Sequence, residues 1–415
     1  MDNVLKLSED GKTLIDVLDK SVEHITIPDG VEVIEEMATA YCEDLRSVDI
    51  PNSVIEIGER AFDGCLSLQS IDIPNSVIEI GKGAFWGCLS LQSIDIPNSI
   101  TAIEEAAFHY CTSLQNIDIP NSVTTIGNKA FYGCSSLQSI DIPNSVTTIG
   151  GWAFKDCTSL QSIDIPNSVT TIDESAFVGC TSLQSINIAE GNQHYASIDG
   201  VLYNKDITII KRVPVGTGLR MFRIPNSVTT IEVAAFVDCT SLQNVDIPNS
   251  VTTIGMHAFS RCISLQSVHI PNSVTTIGRY AFKHCTSLQS IDIPNSVIEI
   301  GERAFEHCTS LQSVDIPNSV IKIGKEAFES CDSLQHVDIP NSVTTIGRSA
   351  FMHCTSLQSI HMHSEAVEEL EIDPYAFRYV NLDECILYIP SGTRWEYRHH
   401  PVFGKFKNIE IEQGK

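Results

Sequence analysis

Residues Ser122 to Asn144 read S-V-T-T-I-G-N-K-A-F-Y-G-C-S-S-L-Q-S-I-D-I-P-N, and almost the same 23 residues precede and follow them. The Phe of the A-F pair recurs at Phe62, Phe85, Phe108, Phe131, Phe154 and Phe177. It recurs again at Phe236, Phe259, Phe282, Phe305, Phe328 and Phe351, 23 apart within each run. A fixed short period marks a solenoid, in which each unit covers its apolar face with its neighbours. Leu137, Ile140 and Ile142 predict a strand with aliphatics inward, while Ser139 and Asp141 between them point outward. Pro143 ends that strand, since it has no N–H to give a ladder. Val146 and Ile149 predict a second short inward stretch, which Gly150 breaks. The A-F-x-x-C that follows, with Ala153, Phe154 and Cys157 inward, predicts one turn of helix. Glu104, Asp173 and Glu232 replace the Gly in three repeats, and acids suit the exposed N–H groups where a helical turn starts.

The pattern L-x-x-I-x-I-P-x-x-V-x-x-I-G-x-x-A-F-x-x-C resembles the BspA-like branch of the leucine-rich repeats, over roughly residues 22 to 390. The expected architecture is an α/β solenoid of about fourteen rungs, with short parallel strands, a short helical turn per repeat, and hairpins as caps and insert. The Asn ladder of generic leucine-rich repeats is missing. Ser76, Ser122 and their equivalents stand in its place, so the Ser hydroxyls or the Asn of P-N must satisfy buried backbone groups.

The organisation follows from where the period holds. Residues 1–29 read as an N-terminal hairpin cap turning at Gly11, followed by a first strand. Residues 30–190 form repeat block 1, whose first unit has Thr39 where Phe belongs, as a capping position predicts. Residues 191–226 carry a modified repeat in which a hairpin, turning at Asn204-Lys205-Asp206, replaces the helical turn. Residues 227–364 form block 2, and residues 365–415 a divergent last repeat and C-terminal cap. Trp395, Tyr397, Phe403 and Phe406 in that cap are expected to cover the last open rung.

Lys plus Arg is 26 against 52 Asp plus Glu, a net charge of −26. Such a surface repels phosphate backbones and anionic lipid, which argues against nucleic acid; no stretch suggests membrane insertion. Thirteen of fourteen cysteines fall at one place in the repeat, where a small buried hydrophobe fits, and Cys385 alone lies outside. Stacked parallel side chains are poorly aimed for bridging, so free thiols are expected.

One outward strand position repeats as an acidic column: Asp49, Asp72, Asp95, Asp118, Asp141 and Asp164, then Asp246, Asp292, Asp315 and Asp338, interrupted by Asn187, Arg223 and His269. Like charges opposed across a ladder destabilise it. The column is therefore either a binding face for a basic partner or divalent cations, or a solvated Asp copied by duplication. The hairpin of the modified repeat adds Tyr203 and Lys205 as candidate contacts, its bland alternative being a structural splice. His284 and His307 occupy the same site on adjacent rungs, but no fixed carboxylate supports them and no metal site is expected.

No H-E-x-x-H, G-x-S-x-G, Gly-Lys phosphate loop or C-x-x-C is present, and a periodic surface lacks a single concave pocket, so neither enzymatic activity nor a cofactor is expected. The reading is a non-catalytic scaffold that binds protein or glycan. The resemblance implies a surface or secreted protein of a host-associated microbe that adheres to extracellular-matrix or cell-surface proteins. The alternative is an intracellular repeat scaffold, because Met1 to Lys20 shows no hydrophobic leader core.

Overall fold

In the computed structural model, which describes residues 4–412, every repeat contributes two extended segments to parallel ladders. The chain divides into two compact units, Met1–Asp206 and Ile207–Lys415.

The first unit opens on an antiparallel hairpin, Leu5–Leu7 with Thr13–Val17, with Gly11 at φ 70° in its turn. Thr13–Val17 then pairs in parallel with Val33–Ile34, and the ladder continues through Glu56–Ile57 and Glu79–Ile80. Ala102–Ile103, Thr125–Ile126, Thr148–Ile149 and Thr171–Ile172 continue the same two-residue pattern, residue on residue 23 apart. The Ser-Ile-Asp-Ile segments form the other ladder. It is a regular strand pair at Ser162–Ile165 and Ser185–Ile188, and single bridges at Asp95–Asp118 and Asp141–Asp164. Pro after most of these segments keeps them short, although Ala189 follows Ser185–Ile188.

The second unit repeats the plan. Met221–Arg223, Asn244–Asp246, Ser267–His269, Ser290–Asp292, Ser313–Asp315, His336–Ile339, Ser359–Met362, Ile386–Ile389 and Asn408–Ile411 form a nine-stranded parallel sheet. Two-residue strands from Thr230–Ile231 to Glu371–Ile372 form the facing ladder.

The helical turn expected in each repeat is not there. Among the described residues the one α-helix is Arg394–His399. The A-F-x-x-C stretch is instead a run of turns, and its hydrogen bonds alternate. Lys129, Phe131 and Gly133 donate their N–H groups to Gly151, Ala153 and Lys155 on the next rung at 2.8 Å each. Ala130, Tyr132 and Cys134 donate backwards within their own rung, to Gly127, Lys129 and Phe131. A helix would keep all these bonds inside one rung; alternation ties each rung to the next. Left-handed residues make this possible, two per repeat and four apart, as at Lys129 (φ 57°) and Gly133 (φ 74°). Left-handed residues cannot continue a right-handed helix. The acids at the Gly position therefore have no helix start to cap. Asp173 accepts from the backbone N–H of Ser175 at 2.9 Å, a local turn of the kind Asp favours. The usual Gly there answers a different need, because a Cβ on Gly127 would sit 2.8 Å from the Glu105 backbone nitrogen.

Inside each unit the phenylalanines stack. Phe62, Phe85, Phe108, Phe131, Phe154 and Phe177 have ring centroids 5.4 to 5.7 Å apart, nearly parallel. Phe236 to Phe377 continue likewise in the second unit, where Phe377 stacks on Phe351 at 5.4 Å. Thr39 fills the Phe place at the first rung, fully buried, its hydroxyl donating to the Ala61 carbonyl at 2.6 Å. Tyr397, Phe403 and Phe406 are buried, with Phe403 and Phe406 against Phe377, whereas Trp395 stays exposed.

All fourteen cysteines are free and buried. The thiol of Cys134 donates to the Phe108 carbonyl one rung back at 3.1 Å, and Cys65, Cys88, Cys111, Cys157 and Cys180 make the equivalent bond. The serines do what the missing Asn ladder would do. Ser76, Ser122 and Ser145 donate to Val54, Ile100 and Val123 carbonyls at 2.6 Å, and Ser319 repeats the bond in the second unit. The choice between Ser and Asn is thus decided for Ser.

Candidate interaction faces

The Ser-Ile-Asp segments alternate by parity, so the Ile side chains enter the core and the Asp side chains leave it. Asp72, Asp95, Asp118, Asp141 and Asp164 are all exposed in the first unit, and Asp246, Asp292, Asp315 and Asp338 in the second. Register places them side by side: Asp95 beside Asp118, Asp141 beside Asp164, Asp292 beside Asp315, and Asp315 beside Asp338. Neighbouring strands lie about 4.8 Å apart. At that spacing two carboxylates repel by roughly 1 kcal/mol in bulk water, before salt screening.

Compensation is confined to the ends of each column. In the first unit, Thr26 donates to Asp49 at 3.2 Å, and Asn187 donates to Asp164 at 2.8 Å. In the second, Arg223 pairs with Asp246 at 2.9 Å, and His363 bonds Asp338 while facing Glu412 at 3.4 Å. Between these ends, Asp72, Asp95, Asp118 and Asp141 have no side-chain hydrogen bond or ion pair among the described residues. No three His, Cys, Asp or Glu side chains among the described residues are grouped so as to hold a metal. The column is a line of single charges, suited to a matching line of cations.

The hairpin of the modified repeat is Tyr195–Ile198 with Val201–Asn204, and it turns at Asp199-Gly200, both at positive φ. Asp-Gly at such a turn is a strong hairpin signal; the turn expected at Asn204-Lys205-Asp206 is present as well, at Lys205 and Asp206, after the strand Val201–Asn204. Tyr203 does not face solvent. It is buried, and burial pushes its hydroxyl up to about 12. Lys205 spans back to the Asn192 carbonyl at 2.6 Å. Asn192 is itself fully buried, donating to Pro166 and Val169 carbonyls and accepting from the N–H groups of His194 and Tyr195. Both proposed hairpin contacts thus serve the fold: one fills the interior and the other ties the hairpin down.

His284 and His307 stack face to face, centroids 4.6 Å apart. Their in-plane lone pairs then run parallel and do not meet at one metal.

Sequence reasoning missed a second face, formed by the turns around A-F. In the first unit Trp86, His109 and Tyr132 follow one another at 4.2 and 4.7 Å, and Tyr110 stacks on His109 at 4.4 Å. Arg60 lies over Trp86, Lys129 over Trp152, and Lys155 over Tyr132. His109 is buried with no partner for Nδ1 among the described residues, and burial, with Lys129 adding, lowers its pKa to about 4. In the second unit Tyr280 lies beneath Arg279, Lys283 and Arg303. The signal was available in the variable x positions of G-x-x-A-F-x-x-C, which carry aromatic and basic residues in both blocks.

Comparison with known proteins agrees with this architecture. The profile of the BspA type leucine rich repeat region matches residues 18–117, 101–213, 215–308 and 275–393. No curated protein matches the chain. Among solved structures, a leucine rich cell surface protein from Faecalibacterium prausnitzii A2-165 is 35% identical, with TM-score 0.67, over 87% of this chain and 93% of that one. A leucine-rich repeat protein from Bacteroides ovatus is 27% identical, with TM-score 0.54, over 99% and 98%. The pneumococcal vaccine antigen PcpA, 20% identical with TM-score 0.59 over 97% and 92%, shares the fold.

Proposed function

The chain belongs to the BspA-type leucine-rich repeat family, and from that premise we propose that it is a non-catalytic interaction scaffold at a bacterial cell surface. It binds host or cell-surface proteins through the acidic strand column. The observation that carries this reading is the run of Asp72, Asp95, Asp118 and Asp141, four exposed carboxylates in register with no side-chain partner among the described residues. Each is a weak contact; a partner with spaced Lys or Arg engages several together, and repetition supplies the avidity. The cell-surface character of the Faecalibacterium protein supports the location.

Free thiols do not oppose an extracellular place. Burial raises the Cys65 and Cys239 thiols to about 12 and pushes Cys88, Cys111 and Cys157 well above the usual thiol range. The thiolate is the form that oxidises, so burial and the raised pKa together disfavour oxidation of these cysteines.

Binding to immobilised matrix glycoproteins at two salt concentrations, with and without chelator, tests the proposal. Saturable binding that weakens with salt and ignores chelator supports it. Absence of binding to every glycoprotein in the panel, or binding that requires a divalent cation, overturns it.

A further inference from the structure

Almost all cations of the second unit have acidic or carbonyl partners, for example Arg261 with Asp238, Arg279 with Glu302 and Lys407 with Asp383. Arg220, Arg348, Arg378 and Lys405 break that rule. None has a carboxylate or a side-chain hydrogen bond among the described residues, in a chain with twice as many acids as bases. Two of them, Arg378 and Lys405, line one cleft between the turns of 374–382 and the Phe403–Lys405 segment. Arg348 and Arg378 both lie over the ring of Tyr375, at 5.6 and 5.7 Å, and Arg378 also covers Tyr379 at 4.6 Å. His353 stacks on Tyr379 at 4.5 Å. The nearby carboxylate of Asp373 accepts the Tyr375 backbone N–H at 2.8 Å and pairs with neither arginine.

A guanidinium that lies over a ring still has N–H groups to offer, a chemistry suited to gripping an oxyanion. The cleft is otherwise amphipathic. Leu382 and Val402 give it an apolar lining, and the exposed Tyr375 and Tyr379 hydroxyls have no hydrogen-bond partner among the described residues. We propose that this cleft binds an acidic sugar carrying an isolated carboxylate. Arg378 and Lys405 take the carboxylate, and the tyrosine hydroxyls and apolar lining take the ring. A net charge of −26 selects against polyanions, whose further charges would meet the acidic body outside this local site. The walls of the cleft are turns, which meet a ligand with side chains.

Titration of the whole chain by calorimetry tests this with a trisaccharide ending in one uronic acid. Its methyl ester, inorganic sulfate and a glutamate-rich hexapeptide are the comparison probes. Saturable binding of the acid, with the ester about tenfold weaker, is expected. Arg378→Gln and Lys405→Gln should each weaken it about tenfold without lowering the melting temperature. Lys405 makes no side-chain contact that folding requires, so its variant separates binding from stability. Absence of binding, an ester or hexapeptide that binds equally well, sulfate that binds as tightly, or unchanged affinity in Lys405→Gln overturns the proposal. Asp118→Asn should bind the sugar as the parent does, so this site and the strand-face reading stand or fall separately.

Discussion

His109 and the cysteines are the residues whose chemistry the fold changes most. A buried neutral imidazole with its pKa lowered to about 4 refuses a proton that the unfolded chain accepts near 6.5. Above pH 6.5 this costs nothing. As pH falls from 6.5 to 4, stability is lost, on the order of 3 kcal/mol in all. His109→Phe, which keeps a ring against Trp86 and Tyr132, should flatten the denaturation midpoint over that range; an unchanged slope would show that His109 takes up its proton while folded. The thiols offer a second check. A thiol reagent should find essentially no reactive cysteine in the native chain and fourteen in denaturant. Fewer in denaturant would mean that disulfides form.

At this scale the sequence was informative wherever a residue repeats. The buried cysteines and the outward aspartates follow from register alone, because a rung-to-rung copy places every side chain in the same surroundings. Tyr203 was misjudged because it occurs once, in a hairpin strand with Val201, Leu202 and Tyr203 all buried, where alternation carries no information.

The turn segment is the element that departs most from expectation. Ala-Phe with a Cys three residues after the Phe has the spacing of one helical turn, and that spacing is what suggested helix. What decided otherwise is the neighbour on the next rung, to which every second N–H is committed, and single-sequence periodicity does not see a partner 22 residues away. Left-handed residues such as Lys129, Trp152 and Tyr280 gave no warning, since only Gly advertises positive φ. The modified repeat makes a sharper test. Gly200 stands at φ 78°, and a Cβ there would meet Ser185 atoms at 2.8 and 2.9 Å. Gly200→Ala should cost about 2–3 kcal/mol. Gly11, also at positive φ but with nothing within 4 Å, should cost about 1 kcal/mol on the same change. Equal denaturation midpoints for the two variants would contradict the packing described for this hairpin.

At the scale of the molecule, the two faces of the repeat carry different charge. Carboxylates line the strand face, whereas several cations without a carboxylate partner lie on aromatic rings of the turn face: Arg60, Lys129 and Lys155 in the first unit, Arg348 and Arg378 in the second. The acidic face was legible in the sequence because duplication preserved it. The cationic cleft was not, because its residues occupy variable positions around a repeat whose length departs from the period. An unpaired acidic column also opposes folding, so replacing Asp95, Asp118 and Asp141 by Asn should raise the melting temperature, and added salt should narrow the difference. A triple variant no more stable than the parent would mean that the column carries no net repulsion.

That same variant gives the most direct test of the strand face as the binding surface. Its affinity for a glycoprotein that the parent binds should be measured beside the parent at low salt. The account predicts that Asp95→Asn, Asp118→Asn and Asp141→Asn together abolish binding while the fold becomes more stable. Undiminished binding by the triple variant would contradict it.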